Sequence, residues 1–310
     1  MTAPSRPHVA TYHGLLGTVV EIRIESDDDQ AATVAERAVV DEIQRLERVF
    51  SVYDEGSALV RWRSGATDDP GDQLAALLRR ALDWQQRSDG AFNPLTGLLT
   101  ARWRAAELAG IAPTDAELDA LAASIRAPRY EVVDGVVRRL AVCDGLDLNA
   151  MAKGHIVDRA LDAACHAGAI DSIVVNAGGD LAHRGRGAVT VGIENPRRPF
   201  DNEPALAVVE VANVAVATTG GARRGFVVAG VRHSHVLDPR SGRPVAHVLS
   251  ATVLAPDAAT ADVVATVVGV LPVEEALAFV DGLQRVACLV MPAAGAVMVS
   301  RGWPGGQTVR

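Results

Sequence analysis

A fold of both helices and strands is the expectation for this 310-residue chain, and three observations lead to it. Short runs rich in β-branched residues recur along the sequence. Longer runs with apolar residues three and four apart stand between them. Asp134-Gly135, a dipeptide favoured in tight hairpin turns, makes its two neighbouring runs an antiparallel pair.

Residues 17–24 read as a strand. The acidic run Asp27-Asp28-Asp29 follows, and a helix start explains it better than a metal site, because negative charge is stabilising at a helix N-terminus. The helix over 30–50 carries Val39, Ile43, Leu46, Val49 and Phe50 in one stripe. Further helices are expected over 72–88 and 105–126, the latter with Thr114 and Glu117 as a capping box. In the second half a short strand bearing Asp147 leads through a small-residue turn to a helix over 153–167 that Gly168 stops. Strands are expected at 172–175, 188–193, 205–211, 214–218, 225–229 and 250–254, with a Pro-rich exposed connection over 195–204. A helix over 262–270 ends before Pro272, another spans 273–281, and 285–299 form a closing hairpin. Without repeats or long linkers, the chain reads as a single domain over 10–300 with flexible termini at 1–9 and 301–310.

Apolar residues make up 49% of the chain and aromatics only 4%, so the core is built from Ala, Val and Leu. The net charge of −8 argues against nucleic acid as a partner, since no basic stripe is present to neutralise phosphates. Cys143, Cys165 and Cys288 form no C-x-x-C pair and are odd in number, which fits a reduced, cytoplasmic compartment. The first residues carry neither an apolar signal segment nor a lipobox-like cysteine. No run approaches the roughly 20 apolar residues of a membrane span.

The chemistry-bearing segments lie mostly in the second half. Residues 233–242, His-Ser-His-Val-Leu-Asp-Pro-Arg-Ser-Gly, crowd two imidazoles, a carboxylate and a guanidinium onto what the Asp-Pro and Ser-Gly pairs mark as a loop. His233 and His235, two apart, share a face of an extended segment. Groups so polar are costly to bury without partners or a ligand. Over 147–158, Lys153-Gly154 open a helix behind small residues, which either suits an anion at the helix N-terminus or leaves Lys153 simply solvated.

Asn176-Ala-Gly-Gly-Asp180 ends a strand with paired glycines, which permit either an ordinary tight turn or close approach of a ligand to the backbone. Thr218-Thr219-Gly220-Gly221, with Arg223 and Arg224 beyond, reads as a phosphate cradle or a hairpin turn. Asp262 and Thr266 are i and i+4 on one helix face. Together they are either hard oxygen donors suited to Mg²⁺ or a helix cap and a packed side chain.

Together these segments resemble the ApbE family, the FAD:protein FMN transferases. The family's Asp-Leu-x-x-Ile-Ala-Lys-Gly-x-x-x-Asp is met at Asp147 to Asp158 with Met151 for Ile, and its Asn-x-Gly-Gly-Asp at Asn176 to Asp180. Its His-x-x-Asp-Pro-x-Thr-Gly is met at His235 to Gly242 with Ser241 for Thr, and its Ala-Asp-x-x-x-Thr at Ala261, Asp262 and Thr266. Upstream, Leu-Gly-Thr (16–18), Phe-Ser-Val-Tyr (50–53) with Ser57, and Ser-Asp-Gly-Ala-Phe-Asn-Pro (88–94) with Trp103 match in order. Some positions depart from the family. Thr219 stands where Ser is frequent, Asn93 where an acid is usual, and Trp62 or Arg63 where an Asn is expected after the Phe-Ser-x-Tyr segment.

The resemblance implies an α+β fold, with antiparallel sheets covered by helices and the site between two closely associated lobes. It also implies an enzyme that binds FAD, uses Mg²⁺ and moves FMN onto a Thr or Ser hydroxyl of an acceptor protein, releasing AMP. Carried over by position, Asp262, Thr266 and the backbone of Ala150 would hold Mg²⁺. His235 would act as general base or positioner, with Asp238 beside it in the catalytic set. Tyr53, Ser57, Phe92, Asn93, Lys153, Asn176, Gly178, Gly179, Asp180, Thr219 and Gly220 would line or brace the FAD pocket. Two other readings stand beside this one: an FAD pyrophosphatase with water as nucleophile, and a non-catalytic FAD-binding protein. Pure binding needs neither a metal nor a base, which counts against the last. His233 and His235 as transition-metal ligands lack companions at recognisable spacing.

Overall fold

The computed structural model describes residues 7–198, 203–221 and 224–304. The chain opens with β1 (His8–Leu15) and β2 (Thr18–Glu25), paired antiparallel, and α1 (Asp29–Phe50) follows. Asp28 caps α1 by accepting the Gln30 N–H at 2.8 Å, so the acidic run is indeed a helix start. β1 reaches into the segment expected as a flexible terminus, and the sequence hid it for a physical reason. Its apolar Val9 faces outward while His8 and Tyr12 point inward to the Glu36 carboxylate, which inverts the usual amphipathic signal.

Next come α2 (Ala58–Ser64), α3 (Gly71–Arg87), α4 (Gly97–Ala109) and α5 (Asp115–Arg126). The single helix expected over 105–126 is thus two, because Gly110 takes φ +66° and ends α4 before the Thr114–Glu117 capping box opens α5. The Asp134-Gly135 hairpin joins β3 (Tyr130–Val133) to β4 (Val136–Arg139). Residue 147 is not in a strand, and α6 (Asn149–Ala167) begins two residues after it, so Lys153 stands in the second turn instead of opening the helix.

The strands β5 (Ser172–Ala177), β6 (Asp180–Gly185), β7 (Val189–Ile193), β8 (Ala207–Val211), β9 (Ala215–Gly220), β10 (Gly225–Val228), β11 (Val231–Ser234) and β12 (Val248–Ala255) follow. The chain closes with α7 (Ala258–Val270), α8 (Val273–Asp281), β13 (Ala287–Pro292) and β14 (Met298–Val299). The expected connection over 195–204 falls partly outside the described residues, as does Arg223.

One eight-stranded sheet organises the molecule, in the order β1-β2-β5-β6-β9-β12-β13-β14, with every adjacent pair antiparallel. Alternation along each strand feeds two cores. Ala215, Ala217, Ala251, Val253 and Val290 face the layer of α1, α6 and α7, whose core continues into α2–α5. Val216, Leu254, Leu289 and Met291 face the β7–β8 hairpin on the other side. The β10–β11 hairpin docks on α4: Glu107 accepts the Val227 N–H at 2.7 Å, and Trp103 stacks on Phe226 and tilts against His233. Among the described residues no helix is long and apolar enough to cross a membrane.

α6 also buries His155 edge-on against Phe50, with Nε2 unpartnered. Burial, then the charges of Arg80 and Arg159, push its pKa down to about 4. The unfolded chain therefore takes up a proton near pH 6.5 that the folded chain refuses until about pH 4. This contribution to stability is complete above pH 6.5 and is lost as the pH falls through that window. Nearby Asp158, raised to about 6 by burial, acts in the opposite sense between its unfolded and folded values. Comparing wild type with His155→Gln isolates the first effect. The stability difference between them should shift against the wild type by about 2–3 kcal/mol from pH 7 to pH 4.5, read by urea unfolding. Parallel pH curves would refute it.

Candidate active site

A cleft of about 770 Å³ opens at one end of the sheet. Its walls are the β1–β2 turn, the end of α1 with the loop through Tyr53, the first turns of α6, the β5–β6 turn, β7, the end of β9 and the segment after β11. The volume is in the range of small-molecule sites.

At its floor Lys153 makes an ion pair with Asp180, which is 3% exposed. Asp262, 7% exposed, lies against the same lysine, and its Oδ2 accepts the Gly154 N–H at a long 3.4 Å. Two buried carboxylates thus share one ammonium. Burial, and next the like charge of Asp180, raise the Asp262 pKa well above the usual carboxylate range. Burial alone would lower the Lys153 pKa, but the two carboxylates outweigh it and raise the value. An under-compensated buried carboxylate is a place where a further cation would be stabilised. Thr266, one turn along α7, donates its hydroxyl to the Asp262 carbonyl at 3.3 Å, and Ala150 lies in the first turn of α6. Neither lines the cleft surface as Asp262 does. Among the described residues no group of three or more His, Cys, Asp or Glu side chains could hold a metal, so any ligand set here needs hydroxyl or carbonyl oxygens, which are donors suited to Mg²⁺.

His235 faces the cleft just beyond β11, with a buried, unpartnered Nδ1. Burial lowers its pKa below 6.5, against the pull of a backbone hydrogen bond with Arg224, so the ring is neutral at pH 7. His233 packs on Trp103 instead, so the two imidazoles do not act as a pair.

The β5–β6 turn is a tight one and an open one at once. Asn176 Oδ1 accepts the Gly179 N–H at 3.0 Å, Gly178 takes φ +64° over Thr18, and Gly179 takes φ +104° with open space where a Cβ would be. A ligand can therefore lie against that backbone. Thr219 and Gly220 line the cleft from within β9, not from a turn beyond it. Tyr53, 79% exposed, stands at the mouth.

Several expected site residues are supports. Ser57 caps α2 through the Val60 N–H at 3.0 Å and donates to the Ser51 carbonyl at 2.7 Å, bracing the loop that carries Tyr53. Phe92 is core, and Asn93 is buried with its oxygen on the Leu95 N–H and its amide on the Ile125 carbonyl. Asp238 holds Arg240 through both carboxylate oxygens and shapes the 238–243 turn, and it is not among the residues that line the cleft. Arg224, read with the 218–221 segment, lines the cleft, whereas sequence reasoning missed Glu47, which accepts the Leu16 N–H at 2.6 Å, Asn149, and Ser250, whose buried hydroxyl has no partner. Only Asn149 sits inside a motif that could have pointed to it.

The sequence profile of the ApbE family matches residues 16–290. The chain belongs to that family. It is 32% identical over 289 residues to the FAD:protein FMN transferase of Treponema pallidum, covering 85% of this chain and 79% of the relative. It is 30% identical over 279 residues to the FAD:protein FMN transferase of Rhodobacter capsulatus, covering 86% of this chain and 52% of that longer relative. The fold matches the crystal structure of the ApbE protein from Thermotoga maritima with a TM-score of 0.81 at 25% identity, over 96% of this chain and 97% of that one.

The departures from the ApbE pattern now have physical accounts. Trp62 is fully buried, and Arg63 bonds the carbonyls of Leu146 and Val52; neither lines the cleft. Asn93 uses its amide N–H on a carbonyl, a bond no carboxylate could donate. The extra methyl of Thr219 sits against Gly269 of α7, where a Cβ would come within 2.6 Å of it. Gly269→Ala should therefore fail to gain the ~1 kcal/mol that alanine normally adds to a helix interior, while the same change in a Thr219→Ser background should gain it. Additive effects in this double-mutant cycle would refute the contact.

Proposed function

We propose that the chain is a Mg²⁺-dependent FAD:protein FMN transferase that carries the FMN of FAD to a threonine or serine hydroxyl of an acceptor protein and releases AMP. The observation that carries this reading is one cleft holding the Lys153–Asp180–Asp262 cluster together with the neutral His235. The reaction class is supported by the relatives, which are themselves FAD:protein FMN transferases.

The acceptor oxygen attacks the FMN phosphorus in line with the bridging oxygen of the pyrophosphate. A phosphoester bond forms, the bond from that phosphorus to the bridging oxygen breaks, and the bridging oxygen leaves on AMP. His235 takes the hydroxyl proton, and its lowered pKa leaves the ring unprotonated and ready to do so at neutral pH. Lys153, held by Asp180, keeps a fixed positive charge at the floor of the cleft. Asp262 and Thr266, with the carbonyl of Ala150, would hold Mg²⁺; the under-compensated charge of Asp262 is the feature that fits it. A metal held there would supply positive charge against the pyrophosphate. The open backbone at Gly179 and the exposed ring of Tyr53 provide surfaces for the dinucleotide. Cys143, Cys165 and Cys288 are unpaired, which fits the reducing cytoplasm as the compartment.

The test mixes protein, FAD and Mg²⁺ with and without an acceptor domain, and follows AMP together with covalent flavin fluorescence on denaturing gels. AMP with a fluorescent acceptor band is the expected result. AMP with free FMN and no band across a panel of acceptors would make water the nucleophile. Tight FAD binding without AMP would make the chain a carrier.

A further inference from the structure

α7 carries Asp262 and Thr266, and its first turn is gripped by a neighbouring helix. Asp158 of α6 accepts the Ala258 N–H at 2.7 Å with one carboxylate oxygen and the Ala259 N–H at 3.0 Å with the other. These are among the donors that a helix start leaves without partners. The helix already has a cap of its own, since Asp257 accepts the Thr260 N–H at 2.8 Å. A second carboxylate, reaching in from another helix, adds a tether more than a nucleus.

The tether has a companion on the same face of α6, one turn earlier. Gly154 lies so close to α7 that a Cβ there would come within 2.2 Å of the Ala258 carbonyl oxygen. The Gly154 N–H points at Asp262 itself. Arg80 of α3 also binds Asp257 at 2.5 Å and the Thr260 hydroxyl at 2.6 Å. The first turn of α7 is therefore fixed along its axis and about it, and Asp262 stands one turn beyond Ala258. Asp158 itself does not line the cleft.

We propose that Asp158 is a positioning residue for the metal-holding carboxylate. By binding Ala258 and Ala259 from α6, it sets the height at which Asp262 faces Lys153 and Asp180. This rests on Asp262 being a Mg²⁺ ligand, and the experiment separates the two claims.

Mg²⁺ binding to the full chain is measured by isothermal titration calorimetry, without FAD, for wild type, Asp262→Asn, Asp158→Asn, Asp158→Glu and Gly154→Ala, with Ile43→Val as a core-destabilised control. Asp262→Asn should lose binding. Asp158→Asn and Gly154→Ala should each weaken it by about tenfold or more, the scale of outer-sphere ligand support, while Ile43→Val leaves it unchanged. Raising Mg²⁺ should restore turnover in Asp158→Asn, which a purely structural loss would not allow. If Asp158→Asn does not fold, Asp158→Glu, which keeps the charge at a longer reach, and Gly154→Ala, which keeps Asp158 itself, carry the test and should each weaken Mg²⁺ binding. Wild-type Mg²⁺ affinity in the folded Asp158 variants, with only thermal stability reduced, would overturn the proposal alone. Mg²⁺ binding that is absent from wild type, or that survives in Asp262→Asn, would overturn the metal assignment and this proposal with it.

Discussion

Asp262→Ala is expected to lower Mg²⁺-dependent turnover of FAD by about 10²–10³-fold or more, and the protein should stay folded. Asp262 is a buried carboxylate that shares Lys153 with Asp180, and its bond from Gly154 is long. Its folded pKa is raised, first by burial and then by Asp180, so ionising it opposes folding. The folded state holds the proton more tightly than the unfolded state, whose carboxyl titrates near 3.8, so the contribution of Asp262 to the stability of the metal-free wild type falls as the pH rises above that value. Removing the group removes that loss. In metal-free buffer the thermal midpoint of Asp262→Asn should therefore meet or exceed the wild-type value, and the gap should widen from pH 4 to pH 7. Calorimetric melts across that range, with AMP release measured beside them, check both halves. Normal turnover in the variant would remove Asp262 from the metal site, and a gap between the two midpoints that does not widen with rising pH would remove the charge argument.

His235→Ala is expected to reduce transfer by about 10²–10⁴-fold, the usual range for a positioned proton acceptor, with FAD affinity changed by no more than a few-fold. The ring is buried and its pKa sits below 6.5, so the acid limb of the wild-type rate profile should lie below pH 6.5. In His235→Ala that limb should disappear from what activity remains. Parallel losses of binding and rate would make His235 a binding group. An unchanged acid limb would assign the proton to another residue.

Local interactions made much of the fold readable. The helix start marked by the acidic run Asp27-Asp28-Asp29 and the Thr114–Glu117 capping box act within three residues and stand in the structure, although the box opens a helix of its own in place of the single helix expected over 105–126. The Asp134-Gly135 hairpin does likewise. Elements without such marks were missed. In β1 the inward residues are the polar ones, and in β6 Asp180 and His183 are buried at positions a pattern reader assigns to solvent.

The site divides along the same line. The sequence by itself determined which residue types lie at which spacing: the His235 loop, the open Gly178-Gly179 turn, Lys153 on a helix and Asp262 with Thr266 on one face. These depend on backbone conformations set by neighbours a few positions away. Only the tertiary structure decided which groups meet. It joined Lys153 to Asp180, Gly154 to Asp262 and Asp158 to the start of α7 across separations of 27, 108 and 100 residues. It also turned Ser57, Asn93 and Asp238 into supports behind the cleft. Such contacts are set by how an eight-stranded antiparallel sheet stacks its helices, and no local pattern carries that information.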